Sequence, residues 1–500
     1  MPPHRLLLVL VVSSACGCAA RQPPRDVVAE SGAHLRAGCY RCLQDGLALV
    51  EGRLDLPSRQ RAFELALLLT ARAKELGLPF EAWAARARSL AAGIPPAAAP
   101  SEFLALADAL RGDPAGLDRD ADFEQRRRTV AHLAPAWLAA IDASDASPEA
   151  KLYFALAGAC GFYLREQRDR AVAGAAAVAA GVPLLEYALG SCTSTEEPWL
   201  VRALEHEPRF DDAAYPLARY QFNRVSINRP GTDPGPAFAR ARASFPESAA
   251  IAVTEANYYR FRREWRRALE GFDATLSLVP RHHDARLGRV LALSMLARHD
   301  EAIAGATSLI DEGRWLAGEA YYWRAWNEYT LTRLGEAERD VEEAKKRMRS
   351  SAVFVLSGLV QWRKKRPEAA EHEFIQATDL DPDECDASNY LGGVRAELQK
   401  WMPAADAYAA AEACREREVA GLRATLADLV ANGAPAAAIE SQHKGIAESE
   451  RQAAEMAYNR GAMLANAGDI AGARGHVERA GRHPTLQVKA ATLLDRLSRR

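Results

Sequence analysis

Seven alanines set the frame for this chain: Ala268, Ala302, Ala337, Ala370, Ala404, Ala438 and Ala473 follow one another at steps of 34, 35, 33, 34, 34 and 35 residues. A period of that size belongs to stacked helical pairs, each too small to bury its own apolar face. The expected result is a quasi-linear solenoid with a long exposed inner face. Alanine is abundant throughout, so the ladder needs support from other columns. Four residues after each alanine stand Phe272, Ala306, Val341, Phe374, Tyr408, Gln442 and Val477; three further on stand Thr275, Leu309, Ala344, Ala377, Ala411, Gly445 and Ala480. Apolar residues at that spacing share one face of a helix. Pro280 and Pro382 follow five residues later, where proline ends a helix. Phe238, Ala241 and Pro246 repeat these columns 34 residues upstream of Phe272, Thr275 and Pro280.

This combination resembles the tetratricopeptide repeat family, whose second helix carries Ala, an aromatic, Ala and Pro in these columns. Ala268, Phe272 and Pro280 match it, as do Ala370, Phe374, Ala377 and Pro382. First-helix matches are Ala256 with Tyr259, Gly358, Leu391 with Gly392, and Gly461 with Leu464. Arg324 and Glu328 depart from the pattern, standing where the family places apolar residues. Gln442 and Gly445 make the unit at Ala438 a poor repeat, expected as a looser or longer hairpin. The resemblance implies an all-α fold, a right-handed superhelix of helical hairpins. No stretch alternates in the manner of a strand, so no sheet is expected.

Regular repeats are expected over residues 236–415, a degenerate repeat or long hairpin over 416–452, and a last repeat with a capping helix over 453–500. Upstream the motif fades. Residues 31–95 read as a helical hairpin region with a long connecting loop around Leu56 and Pro57, and the Ala/Pro-rich stretch that follows reads as a boundary near 95–100. Residues 101–235 read as divergent repeat-like helices, ending in a hinge at the Arg229–Gly235 loop.

Residues 1–18 follow the grammar of an export signal: Arg5, an apolar run from Leu6 to Val12, then Ser13, Ser14, Ala15, Cys16, Gly17 and Cys18. The run is far shorter than the ~20 residues a spanning helix needs. Small residues before a cysteine resemble a bacterial lipoprotein signal, in which that cysteine is lipidated. Ser14 and Ala15 favour Cys16, whereas lipidation of Cys18 leaves an even six cysteines behind. Residues 19–30 would then be a tether. Of the six, Cys385 and Cys414 fall at opposite ends of one hairpin and are expected to bridge. Cys160 and Cys192 stand about one repeat apart, a weaker pairing signal. Cys39 and Cys42 form a CxxC without a following His, a second CxxC or a βαβ context; they read as two small apolar residues on a helix face.

Hydrophobic content of 49% and charged content of 26% suit a folded body rather than a disordered one. Lys and Arg total 64 against 66 Asp and Glu, a net charge of -2, so no nucleic-acid partner is expected. His282, His283 and Asp284 read as solvated turn residues; with no converging ligands, no metal site is expected, and no cofactor. Nucleophile-elbow, phosphate-loop and dinucleotide motifs are absent, which argues against an enzyme.

In the family the first helices line the binding groove. Here the resemblance places Asn257, Arg260, Leu287, Leu291, Tyr322, Trp326, Tyr329, Val355, Leu359, Trp362 and Asn389 on that face. Tyr322, Trp326 and Tyr329 at i, i+4, i+7 share one side of a helix. The same spacing also describes a core stripe, with Tyr321 and Trp323 turned outward, and that is the reading helical periodicity favours. The expected function is a non-catalytic scaffold, lipid-anchored in a bacterial envelope facing the periplasm, the outer membrane included. It would bind proteins or peptide segments in assembly or export machinery. The alternative is an accessory factor of an envelope enzyme or glycan system, with specific chemistry in residues 101–235.

Overall fold

The computed structural model describes residues 26–110, 121–161, 164–192, 196–226, 233–313, 317–431 and 436–499. Among the described residues there are twenty-five α-helices, two 3₁₀ turns and no strand. From Ala249 the helices alternate in pairs: Ala249–Phe261 with Trp265–Leu278, His283–Met295 with His299–Asp311, Ala317–Thr330 with Leu334–Arg347, Ser351–Arg363 with Pro367–Leu380, and Cys385–Glu397 with Trp401–Ala431. This is a helical-hairpin solenoid.

The ladder alanines are the positions where the paired helices touch. Ala268, Ala302, Ala337, Ala370, Ala404 and Ala473 are all 0% exposed. A larger side chain there would hold the helices apart, since interiors are packed to crystal-like density. The aromatic four residues on lies over the first helix at a glycine. A Cβ on Gly358 would come 2.6 Å from Phe374, and one on Gly392 would come 2.9 Å from Tyr408. The turn inside each hairpin repeats as strictly. Arg263, Ala297, Thr332, Lys365 and Gln399 take left-handed φ of 58 to 62°, and Gly468 takes 90°. Each stands five residues before a ladder alanine.

The side chain of Ala438 lies outside the described residues. Trp401–Ala431 and Ala436–Asn466 are helices of 31 residues each, packed against one another as one long hairpin. At 1.5 Å per residue each is about 46 Å long, roughly twice an ordinary repeat helix. Val419, Ile446 and Ser449 are buried along its seam, and most of the rest of the extension is exposed or half-buried. The insertion occupies two steps of the ladder, so Ile470–Ala480 re-enters in register with Ala473. Gln487–Ser498 then covers the last repeat through Ala490 and Leu497.

In the upstream half, residues 229–232 of the expected hinge lie outside the described residues, and one hydrophobic core runs from Leu35 to Ile251, across the expected boundary near 95–100. The cause is the Leu56–Glu75 helix, on which every residue from Ala62 to Lys74 is buried. Its apolar residues and its buried Glu64, Arg72 and Lys74 both need partners, and it draws distant segments onto itself. Glu64 accepts from Ser147, Gln60 donates to the Asp145 carbonyl, and the Lys74 ammonium donates to the carbonyls of Ala107, Asp108 and Leu110. Arg72 pairs with Asp212, and Ser248 Oγ donates to the Leu76 carbonyl. Leu56 and Pro57 are not a loop either. Asp55 caps the helix by accepting from Ser58 N at 2.9 Å, and proline is tolerated in the first turn.

The six cysteines of the described residues form three disulfides: Cys39–Cys42, Cys160–Cys192 and Cys385–Cys414. The first corrects the reading of Cys39 and Cys42 as unpaired helix-face residues. Cys39 is the N-cap of Tyr40–Val50 rather than part of its face, and this brings its sulfur to Cys42. Cys16 and Cys18 lie outside the described residues. No helix among the described residues is long and apolar enough to cross a membrane.

Candidate functional site

In the downstream half, first helices of successive repeats approach one another more closely than second helices do. The first-helix side is therefore the short, concave side. Of the residues expected to line it, Asn257, Tyr322, Trp326, Tyr329, Trp362 and Asn389 are half-buried on first helices, and Arg260 is exposed. Leu287, Leu291, Val355 and Leu359 continue the strip, also half-buried.

Tyr322, Trp326 and Tyr329 are half-buried and pack against the apolar core of their repeat, as Tyr321 does. The buried face of Ala317–Thr330 is carried by Ala317, Gly318, Ala320, Ala325, Asn327 and Glu328. Small residues sit there because hairpin packing needs them, and the large rings pack beside them, half-buried. Trp326 and Tyr329 lie 6.4 Å apart between ring centroids, and the Arg363 guanidinium caps the Tyr329 ring at 4.8 Å. Burial and then the Glu384 carboxylate push the Tyr322 hydroxyl above its ordinary range. Trp362 is fixed more firmly. Its Nε1 donates to Glu397 at 2.5 Å and its ring stands edge-on to Phe374, so it braces two repeats as well as facing the groove. Arg260 Nε donates to Asn257 Oδ1 at 3.1 Å, which presents a guanidinium at the upstream end of the strip.

Behind the aromatic strip sits an ionic insert where apolar residues are usual. Arg324 Nη2 donates to Asp340 at 2.8 Å and its Nη1 donates to Thr307 at 3.0 Å. Glu328 is 6% exposed and its Oε2 has no hydrogen-bond partner. Burial, with the Asp340 charge added, raises its pKa from 4.5 to about 7. Asn327, fully buried, donates to Ser294 Oγ at 2.7 Å and lies 2.8 Å from His299 Nδ1.

The histidines read as solvated turn residues are in fact enclosed. His282 and His283 are 3% and 2% exposed, and His282 Nδ1 caps the next helix by accepting from Ala285 N. Inter-repeat turns tuck under the following helix, which sequence spacing does not reveal. No group of three metal-ligating side chains comes together among the described residues.

The upstream half holds a second concavity, which sequence reasoning missed. A cleft of about 680 Å³ opens beside the C-terminal end of the enclosed helix, lined by Glu75, Tyr153, Tyr187, Tyr215, Arg168 and Arg219 among others. Arg72 lies beneath it, wholly buried, paired with both Glu75 and Asp212, its guanidinium 3.4 Å from the Tyr187 ring centroid. The Tyr153 and Tyr187 hydroxyls donate to Glu75 at 3.0 and 2.8 Å. Burial pushes both phenols well above their ordinary range, which keeps them as donors. These partners are 78 to 140 residues apart in sequence, so no local signal announced them.

No protein-family model matches the sequence, and no curated protein matches it. Among solved structures, the chain is similar to a tetratricopeptide repeat protein from Parabacteroides merdae, at 16% identity over 48% of this chain and 98% of that one, with a TM-score of 0.37. It is similar to YrrB, described as a TPR protein with an unusual peptide-binding site, at 18% identity over 52% of this chain and 98% of that one, TM-score 0.26. Yeast Tom70 shares 12% identity over 81% of this chain and 95% of that one, TM-score 0.35. Its own helices make this chain an all-α helical-hairpin solenoid, with a regular downstream half built on an enclosed upstream body.

Proposed function

We propose that this chain is a non-catalytic scaffold whose downstream concave face binds a protein or peptide segment. The observation that carries the reading is the half-buried strip of Tyr322, Trp326 and Tyr329, large rings left at the surface of helices whose buried faces are already filled by small residues. Tyrosine and tryptophan supply rigid contact area with a polar handle, the composition of binding hot spots. A contiguous apolar strip on a groove is also costly to leave in water without a partner.

The proposal extends to location. The amino-terminal pattern ending at Cys16 and Cys18 supports export and lipid anchoring in a bacterial envelope, facing the periplasm, and a role in assembly or export machinery there. Three disulfides in one chain suit an oxidising compartment. Replacing Tyr322, Trp326 and Tyr329 together with alanine tests the binding role. Partner binding should be lost while helical content and melting stay close to wild type. A large fall in melting temperature with binding retained by the folded fraction refutes it. Labelling with a radioactive fatty acid tests the anchor, and no label on a chain with Cys16 and Cys18 intact refutes it.

A further inference from the structure

The upstream cleft is a built site whose polar groups are incompletely used. Glu75 forms its floor with a side chain 33% exposed. Its Oε2 accepts from Arg72 and from the Tyr187 hydroxyl, whereas Oε1 accepts from Tyr153. A carboxylate has about four acceptor positions, so Glu75 keeps capacity on the side open to the cleft. Ser191, also in the lining, has a buried Oγ with no hydrogen-bond partner.

Charge is arranged along the cleft as well. Arg72 is enclosed with two carboxylates, Asp212 and Glu75. Lys74, which also lines the cleft, gives its three donors to the carbonyls of Ala107, Asp108 and Leu110 rather than to Glu75. At the mouth stand Arg168 and Arg219. Arg168 lies against Asp169 at 3.2 Å, and Arg219 is exposed, pairs with no carboxylate among the described residues, and has the Tyr215 ring 5.8 Å away. Between floor and mouth the wall is apolar, through Leu156, Ala157, Pro216 and Ala250. A buried ion network of this kind adds little net stability over an apolar core of equal volume. What it does achieve is a carboxylate held in one orientation toward an open cavity by three donors. The volume lies in the range of small-ligand sites.

We propose that this cleft binds a short zwitterionic peptide, with its ammonium group on Glu75 and its carboxylate on Arg219 and Arg168. The occupant enters beside the end of the Leu56–Glu75 helix and is separate from any segment bound by the downstream groove.

The test is calorimetric titration of the full chain with trialanine, N-acetyl-trialanine and trialanine amide. Saturable binding of trialanine is expected, at least tenfold weaker after either acetylation or amidation. Glu75→Gln, which retains an acceptor for one of the two tyrosines, should weaken trialanine binding at least tenfold, and so should Arg219→Ala. Should Glu75→Gln fail to fold, Arg219→Ala on its exposed helix still decides the matter. Trp326→Ala should leave trialanine binding unchanged. No binding at millimolar trialanine, equal affinity for free and capped peptides, full affinity in folded Arg219→Ala, or loss of binding in Trp326→Ala would each overturn the proposal.

Discussion

Replacing Glu328 by glutamine should stabilise the central repeat at alkaline pH and leave it unchanged in acid. The carboxyl is enclosed at 6% exposure, has an oxygen without a partner, and faces the Asp340 charge, which Arg324 only partly offsets. Its pKa rises from 4.5 to about 7, desolvation being the larger cause. The folded repeat therefore holds this proton more tightly than the unfolded chain does. The stability associated with it is complete below about pH 4.5 and is lost as pH rises through 7. A displacement of that size corresponds to about 3 kcal/mol once the group is ionised. Glutamine keeps the volume, removes the charge and can donate toward Asp340. Hydrogen exchange of the Ala317–Thr330 amides reads the effect locally, which suits a solenoid that need not unfold as one unit. At pH 8 these amides should exchange roughly two orders of magnitude more slowly in Glu328→Gln than in wild type, with the difference nearly gone by about pH 4. Equal exchange at pH 8, or a difference independent of pH, would refute the reasoning.

Thr332 is β-branched yet holds φ at 62°, so Thr332→Gly should raise the stability of its hairpin by roughly 0.5–1 kcal/mol in chemical denaturation. Arg72→Met leaves Asp212 and Glu75 buried without their cation; a loss of about 3–5 kcal/mol is expected in the melt of the upstream body. Cys385 and Cys414 are 29 residues apart and Cys39 and Cys42 only 3. By loop-closure entropy, removing the first bridge with serine should cost about 3–4 kcal/mol and removing the second about 2 kcal/mol. Equal costs would show that loop length does not govern these bridges.

The downstream architecture was legible because each rung of the ladder is a local requirement. Ala268, Phe272 and Thr275 must lie on one helix face whatever the rest of the chain does, and the repeat multiplies that signal. The Cys385–Cys414 bridge followed from the same register. The upstream body was not legible, because its organising contacts join residues far apart: Arg72 to Asp212, Glu75 to Tyr153 and Tyr187, Leu76 to Ser248. The one visible hint was the run from Ala62 to Lys74, too apolar around its circumference for a two-helix hairpin. For the aromatic strip, spacing alone could not choose between core and groove. In the structure Ala317, Ala320 and Ala325 take the buried face, and Tyr322, Trp326 and Tyr329 lie half-buried beside it. Arg324 and Glu328 read as departures from a repeat pattern, and they became an ionic insert only when Asp340 of the second helix was seen beside them.

Binding at the concave face is tested most directly by photo-crosslinking in living cells, with p-benzoylphenylalanine placed one position at a time. Positions 326 and 359 lie on the inner strip, and Glu342 and Glu368 are exposed on second helices. Partner adducts at 326 and 359, with none at 342 and 368, are the expected result. Adducts confined to 342 and 368 would place the partner on the outer face and contradict the assignment of the groove.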